Sequence, residues 1–231
     1  MSDELLLPDG FKLGCNPRVS EFGTVCAPMA DKIKTIPRDQ WPSLIGQVSL
    51  RPRVRKVLDQ NGYGSCATES TTQGVMICRD VAGLPFDLLN PLSIYHFTNG
   101  GSDNGSNIDT NLVRARDVGI LPESYWPRSK GWRASPPTGY EKIAANYRID
   151  EFYDIASIDE VGTALLKGFA VVFGWQGHSC ILTDLLSTTT ALYCNSWGNW
   201  GDAGFGKINL ASINWGYGLF AIRSVKDGDK P

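Results

Sequence analysis

The residue best suited to chemistry is Cys66, which follows a short glycine-containing loop and precedes a stretch of helical character. Gly62 and Gly64 let the chain turn tightly before it, and the proline-free run 67–81 carries apolar residues at near-helical spacing. A helix N-terminus favours a thiolate and can lower a cysteine pKa from about 8.5 to about 3.5–7.5. The position therefore predicts a nucleophilic sulfur. The alternative is a buried structural cysteine, because free cysteine is among the most buried residue types.

A histidine and an asparagine far downstream could serve the same chemistry. His178, one of only two histidines, follows an apolar run of strand character at 168–173. A turn is predicted at 184–190, and Asn195 follows a second apolar run at 191–194. An amide carbonyl is a poor electrophile. Its cleavage needs an ionised nucleophile, a proton donor for the leaving amine and a group that orients the donor.

Together these motifs resemble those of the papain family of cysteine peptidases. Gln60 stands six residues ahead of Cys66, with a Gly-Ser pair directly before the cysteine. His178 precedes Asn195-Ser-Trp-Gly198 by seventeen residues, and a Trp-Gly-x-x-Gly-aromatic tail follows at 200–205. The order Cys, His, Asn is also that of the family.

The resemblance implies a role for each of these residues. Cys66 would be the nucleophile, His178 the acid and base, and Asn195 the residue that fixes the imidazole tautomer. The Gln60 side-chain amide and the Cys66 backbone N–H would form the oxyanion hole. Trp197 would shield the His–Asn hydrogen bond from water; it would equally serve as an ordinary core tryptophan.

The resemblance also implies a peptide-binding groove. Residues 104–106 match the family's Asn-Gly-Gly turn, whose backbone pairs with an extended substrate like an added strand, although Ser106 replaces the second glycine. Apolar Ile222 predicts a preference for a hydrophobic residue at the substrate's P2 position and poor acceptance of arginine there. These positions could instead be simple strand and loop residues. The substrate-binding residues implied are Gly105, Ser106, Asn107, Ile108, Gln176, Ser179, Trp197 and Ile222.

The predicted fold class is α+β, in two lobes with the active-site cleft between them. A helical lobe at about 50–125 and an antiparallel, barrel-like β lobe at about 126–225 would form one peptidase domain, 36–231. Ser157 with Glu160 three residues later predicts a capped start for a helix at 158–167. The remaining helices are predicted at 67–81, within 85–95, and at 108–118.

Residues 1–35 contain scattered proline and glycine and little periodicity, which predicts an irregular extension. It would be a short prosegment or an arm that wraps around the domain. Such an arm could block the cleft, but a path along the surface is favoured. The long helical prosegment usual in the family is not found here. The acidic N-terminus lacks the features of a secretory signal, so a cytoplasmic location is expected, and the departures from the family pattern resemble bacterial or viral members.

Composition excludes several other classes of function. The 231 residues are 42% hydrophobic with a net charge of −2, which is typical of a globular protein and indicates neither nucleic-acid nor membrane binding. The family resemblance implies a monomer that acts on a polypeptide. The basic run 51–56 alternates as an exposed strand would. No ligand spacing suggests a metal or other cofactor, and His96 is expected to be a half-exposed helix residue.

The six cysteines do not follow the family's disulfide pattern. Tyr63 and Asp103 stand where the family usually carries bridge partners, and only Cys15 and Cys26 are candidates for pairing. Glu69 is a further departure. It could find a partner in the core or add negative charge to the cleft. Besides a cysteine endopeptidase, the sequence leaves open an inactive peptide-binding module and a narrow amidase or isopeptidase.

Overall fold

The structure is a computed structural model that describes Leu7 and residues 9–226. Parts of the predicted extension and of the predicted domain, residues 1–6, 8 and 227–231, lie outside the described residues. The helices are α1 Trp41–Leu44, α2 Cys66–Val81, α3 Leu92–Thr98, α4 Ile108–Asp117, α5 Tyr140–Ala144, α6 Ile158–Leu166 and α7 Trp200–Ala203. The strands are β1 Cys15–Asn16, β2 Ser106–Asn107, β3 Ile149–Asp154, β4 Ala170–Trp175, β5 His178–Leu185, β6 Thr190–Cys194, β7 Phe205–Asn209 and β8 Phe220–Val225.

Helix α2 is the central element, and the helix predicted at 67–81 is confirmed, with its first residue at Cys66. Every residue from Cys66 to Arg79 is buried, so the helix runs through the interior rather than along the surface. Gly74 allows the close approach to the sheet, because a β-carbon there would lie 2.6 Å from the Ile222 Cδ1 atom and 2.8 Å from the Ile181 Cδ1 atom.

The six-stranded antiparallel sheet has the order β3-β8-β4-β5-β6-β7. The prediction of a barrel-like lobe is wrong in one respect, since the sheet is open. Among the strands of the described residues, β3 pairs only with β8 and β7 only with β6, and closure would require these two edge strands to pair. The mixed helical and antiparallel architecture is as predicted.

Helices cover both faces of the sheet. On β4, Val172 packs into the cluster that contains the α2 residues Val75 and Ile77. Its neighbour Val171 packs into the cluster that contains Val161 of α6. This alternation follows from the twofold repeat of a strand, and it explains why β4 is a continuous apolar run.

The other helices follow their predicted start signals. Ser157 Oγ accepts the Glu160 N–H at 3.2 Å, which is the predicted cap of α6. Helix α4 ends at Asp117, as expected from the glycine that follows at 119. Helix α3 begins at Leu92, within the predicted segment 85–95, because Asn90 Oδ1 accepts the Leu92 N–H at 3.0 Å and starts the helix there.

Two predictions about local structure are wrong. The basic run forms a 3-10 turn at Arg51–Arg53 rather than a strand, since Pro52 has no N–H to give to a sheet. Strand β5 extends through Asp184 to Leu185, where a turn was expected, and the Asp184 carboxylate accepts the Arg51 backbone N–H at 3.2 Å. Across the described residues, no helix is both long and apolar enough to cross a bilayer.

Candidate active site

Cys66 is the first residue of α2, at the end of a loop that positions it against the first residues of β5. Its side chain is fully buried. Burial raises the pKa of the Cys66 thiol to about 12, although hydrogen bonds from the backbone N–H groups of Ser179, Gly14 and Ala67 act to lower it. The expected fall in the pKa of Cys66 is therefore not found in this conformation, because burial raises this pKa by more than the helix N-terminus lowers it.

His178 and Asn195 are brought together by the pairing of adjacent strands. His178 begins β5, Asn195 directly follows β6, and the two strands are antiparallel neighbours. His178 Nε2 and Asn195 Oδ1 are 2.7 Å apart, and the Ser196 backbone N–H also donates to Asn195 Oδ1 at 2.7 Å. The amide therefore holds the imidazole in a fixed plane.

The second imidazole nitrogen is left available. His178 Nδ1 is buried and has no hydrogen-bond partner among the described residues. With Nε2–H donating to Asn195, Nδ1 is the atom that can take up a proton. Burial lowers the pKa of His178 to about 4, although the hydrogen bond that Nε2–H donates to Asn195 acts to raise it. The Trp197 ring stacks on the imidazole with centroids 4.6 Å apart and covers it from one side.

The cysteine and the histidine belong to elements that pack directly on each other. Ser70, one turn beyond Cys66, and Ser179, next to His178, have hydroxyl oxygens 2.6 Å apart. The backbone N–H of Ser179 also interacts with the Cys66 thiol. The structure thus gathers the sulfur and the imidazole into one buried region.

Gln60 lies in the same region and is fully buried. Its side-chain oxygen accepts from Trp197 Nε1 at 3.0 Å and from Ser196 Oγ at 2.9 Å, which fixes the direction of the amide. Its Nε2 donates to the carbonyl oxygen of Tyr63 at 2.6 Å and to that of Lys12 at 2.8 Å. The amide is therefore already occupied, in part by a residue distant in sequence.

Residues 9–23, which we call the N-terminal arm, pass through the cleft. The Phe11 ring lies 5.4 Å from the Trp197 ring, and the Gly177 carbonyl accepts the Cys15 N–H at 2.9 Å. Strand β1 of the arm pairs in parallel with β2, where the Ser106 N–H donates to the Gly14 carbonyl at 3.0 Å. The arm therefore takes the path through the cleft rather than the favoured path along the surface.

Gly14 allows this passage, although no sequence motif marks it. A β-carbon on Gly14 would lie 2.0 Å from the Gly64 carbonyl oxygen, and one on Gly105 would lie 2.5 Å from the Gly14 oxygen. Three glycine backbones thus meet with no room for a side chain. The available signal was a glycine beside a cysteine in an otherwise irregular segment.

Two carboxylates anchor the arm where it leaves the cleft. Asp109 Oδ2 accepts from the Val19 N–H at 3.0 Å, the Ser20 N–H at 2.7 Å and the Ser20 hydroxyl at 2.6 Å. The guanidinium of Arg18 forms a two-point contact with buried Asp154, at 3.1 and 2.7 Å. Charge-assisted bonds of this kind are stronger than neutral ones, so the arm is held firmly.

Most of the substrate-binding residues predicted by resemblance touch the arm or lie beside it. The Gly105 N–H donates to the Tyr95 hydroxyl at 3.1 Å, Ser106 pairs with Cys15, and Asn107 Nδ2 donates to the Pro17 carbonyl. Of the other predicted substrate-binding residues, Gln176 is a turn residue with a φ of +50°, and Ser179 is a buried neighbour of the histidine. The ring of Trp197 covers the imidazole, and Ile108 and Ile222 are fully buried apolar residues.

The position of Ile222 differs from the expected one at the end of an open pocket. Its side chain is fully buried and reaches toward Gly74 of α2. It belongs to the cluster that also contains Ile108, Cys15 and Cys66. In this conformation Ile222 therefore supports the floor of the groove from within the core.

No disulfide stabilises the site, since all six cysteines are free and the suspected pairing of Cys15 with Cys26 is absent. Asp103 provides a link instead: Oδ1 accepts the Gly64 N–H and the Tyr95 hydroxyl at 2.9 Å each, and Oδ2 accepts from Lys12 Nζ at 2.8 Å.

His96 is half-buried and hydrogen bonds the Trp132 carbonyl through Nδ1 at 2.7 Å. Within the described residues, no group of three His, Cys, Asp or Glu could hold a metal ion.

Solved structures share this architecture, whereas no protein-family model and no curated protein sequence matches the chain. Xylellain, a cysteine protease from Xylella fastidiosa, superposes with a TM-score of 0.74 at 20% identity, over 96% of this chain and 100% of that one. Digestive procathepsin L2 of Tenebrio molitor gives 0.65 at 15% identity, over 94% and 79%. A stem bromelain precursor gives 0.64 at 14% identity, over 86% and 76%.

The fold is that of the papain-like cysteine proteases, as the sequence motifs predicted. This chain combines it with a cleft filled by its own N-terminal arm.

Proposed function

We propose that the protein is a cysteine endopeptidase that works through a thioester acyl-enzyme on Cys66. The observation that carries the proposal is the 2.7 Å contact between His178 Nε2 and Asn195 Oδ1. It leaves Nδ1, beside the cysteine-bearing helix, with no hydrogen-bond partner in the part of the chain that the structure describes. A purely structural histidine would be expected to use both nitrogens when buried.

The chemistry proceeds in two halves. His178 Nδ1 takes the proton of Cys66, and the sulfur attacks the peptide carbonyl to give a tetrahedral oxyanion. The Gln60 amide and the Cys66 N–H donate to that oxyanion. The imidazolium protonates the amine, which leaves, and a water deprotonated by His178 then hydrolyses the thioester and frees the acid.

The proposed preference at the substrate's P2 position is inferred from the arm residue that occupies the groove, Cys15. The Cys15 thiol of the arm is buried within the apolar cluster that includes Ile108 and Ile222, and it interacts with Ser179. Cys15 pairs with Ser106 as the proposed substrate strand would. A hydrophobic side chain at the substrate's P2 position fits these surroundings better than an arginine.

The N-terminal extension, residues 1–35, would act as a prosegment that keeps the 36–231 domain inactive. The Lys12 carbonyl accepts the hydrogen bond that the Gln60 side-chain amide would otherwise donate to the oxyanion. A pKa of about 12 for the Cys66 thiol and of about 4 for His178 keep both groups neutral near pH 7. The thiolate–imidazolium pair would form once the arm leaves and water enters.

One alternative retains support. An inactive peptide-binding module would also fold with a peptide segment in its cleft, and the protonated thiol of this conformation fits that role. A peptidase and an inactive binding module differ in the reactivity of Cys66 once the arm is displaced from the cleft.

The test uses the full chain with Gly14→Val, which displaces the arm because valine cannot fit beside Gly64. We expect an epoxide reagent to label Cys66 stoichiometrically and a fluorogenic peptide library to be cleaved, with leucine preferred over arginine at P2. Both activities should be lost in Cys66→Ala and His178→Ala. Val19→Ala, on an exposed arm residue, is the control. An unlabelled Cys66 at neutral pH would exclude the peptidase, and equal use of leucine and arginine would exclude the proposed pocket.

A further inference from the structure

Glu69 carries a carboxylate in a place that ordinarily excludes one. It lies on α2, three residues after Cys66, and its side chain is completely buried. An unpaired charge there would be strongly destabilising. Each carboxylate oxygen has a partner: Oε1 accepts from Ser65 Oγ at 3.0 Å, and Oε2 accepts from an Arg128 guanidinium nitrogen at 2.9 Å.

Arg128 reaches Glu69 from the segment after Pro127, and its side chain is only 16% exposed. A second guanidinium nitrogen donates to the backbone carbonyl of Asp59. Glu123 lies on the outer side, where Oε1 is 3.4 Å from Arg128 Nε and Oε2 accepts the Arg128 backbone N–H at 2.8 Å. The planar guanidinium thus holds two separate acceptors in a fixed geometry.

The ion pair contacts both ends of one loop, since Arg128 donates to the Asp59 carbonyl and Glu69 accepts from Ser65 Oγ. Asp59 directly precedes Gln60, and Ser65 directly precedes Cys66. Gln60 and Cys66 supply the two proposed oxyanion donors, so a single ion pair contacts the chain immediately before each donor. Loops positioned in this way keep their donors preorganised for the transition state.

The Glu69–Arg128 ion pair also sets the charge close to the Cys66 sulfur. Burial is the main cause of the high pKa of the Cys66 thiol, and the negative charge of Glu69 raises it further. Arg128 places a positive charge against that carboxylate, which offsets its effect on the thiolate.

We infer that Glu69 and Arg128 are positioning residues that fix the distance between the Gln60 amide and the Cys66 N–H. The inference rests on the proposed peptidase function. It predicts that loss of the pair reduces turnover far more than substrate binding, because only the transition state places full charge between the two donors.

The experiment compares Glu69→Gln, Arg128→Gln and the double variant in the Gly14→Val chain, measuring kcat, KM and the rate of Cys66 alkylation by iodoacetamide. Alkylation by iodoacetamide displaces iodide at a saturated carbon and needs no oxyanion hole, so it reports the thiolate alone. We expect each single variant to lose about 10²-fold in kcat with KM within about twofold. Alkylation at a pH where the thiol is ionised should be unchanged, and the double variant should lose no more than the worse single one.

Arg128→Lys is a milder second variant, since it keeps the charge but cannot hold both acceptors, and we expect an intermediate kcat. Glu151→Gln, which removes an exposed ion pair with Arg223, is the control that should change nothing. Unchanged turnover, or equal losses of turnover and alkylation, would overturn the inference. A Gly14→Val parent that neither turns over nor alkylates would instead refute the proposed function itself.

Discussion

The carbonyl oxygen of Lys12 accepts a hydrogen bond from the side-chain amide of Gln60 at 2.8 Å. An arm residue thereby takes the position proposed for the substrate's developing oxyanion. Occupation of this donor, together with full burial of Cys66, makes the described conformation a closed one.

Removing an anchor of the arm should expose the sulfur. Asp109→Ala deletes the acceptor of three hydrogen bonds from Val19 and Ser20. Hydrogen bonds to a charged group contribute about 1.5–3 kcal/mol each, so the closed state should lose much of its advantage. We expect iodoacetamide to modify Cys66 at least about 10-fold faster than in the wild type. Asp117→Ala, at the exposed end of the same helix, should leave the rate unchanged; equal rates in all three proteins would contradict the anchoring role.

The pH dependence of alkylation should distinguish the closed and open states. With a thiol pKa of about 12, the thiolate fraction in the intact chain is small at pH 7 and rises about tenfold per pH unit up to that value. Displacing the arm in Gly14→Val hydrates the thiol and lowers its pKa, so the rate should level off at a lower pH. The measurement is the iodoacetamide rate from pH 5 to about 10. Superimposable profiles would show that the arm does not control ionisation.

Gln60→Ala should have opposite effects on two assays. It removes a proposed oxyanion donor, so kcat in the Gly14→Val chain should fall by about 10²–10³ with little change in KM. It also removes the hydrogen bond to Lys12, so alkylation of Cys66 in the chain that keeps Gly14 should become faster. Gln47→Ala, at an exposed turn, is the matched control. A parallel fall in both assays would indicate damage to the fold instead.

Two buried glycines should differ in their tolerance of alanine. A β-carbon on Gly162 would lie 2.2 Å from the Trp41 ring, whereas one on Gly74 would meet only the ends of the Ile222 and Ile181 side chains. A rigid indole cannot move aside as a flexible methyl group can. Gly162→Ala should therefore lower the free energy of unfolding by about 1–3 kcal/mol despite the better helix propensity of alanine. Denaturant unfolding should show a smaller loss for Gly74→Ala, and the reverse order would be inconsistent with this packing.

The fold could be predicted from local signals because those signals agree with each other. The run after Cys66, the cap at Ser157 and the strands around His178 each formed the expected element. The motifs also placed the proposed catalytic residues on neighbouring elements. Their catalytic roles remain predictions until activity is measured.

What could not be predicted depends on contacts between distant residues. The sequence raised the question of a partner for Glu69, but Arg128 is separated from it by more than fifty positions and carries no motif. The path of the arm depends on three glycines that meet only in the folded chain. Pro52 was the local signal against a strand at 51–56, and the alternation of charges obscured it.

The bond network of Asp103 has a practical consequence. It joins the Gly64 loop, the Tyr95 helix and Lys12 through a carboxylate, and every cysteine remains a thiol. Dithiothreitol, added to protect a reactive sulfur from oxidation, has no crosslink to cleave here. The melting temperature should therefore be the same with and without this reagent.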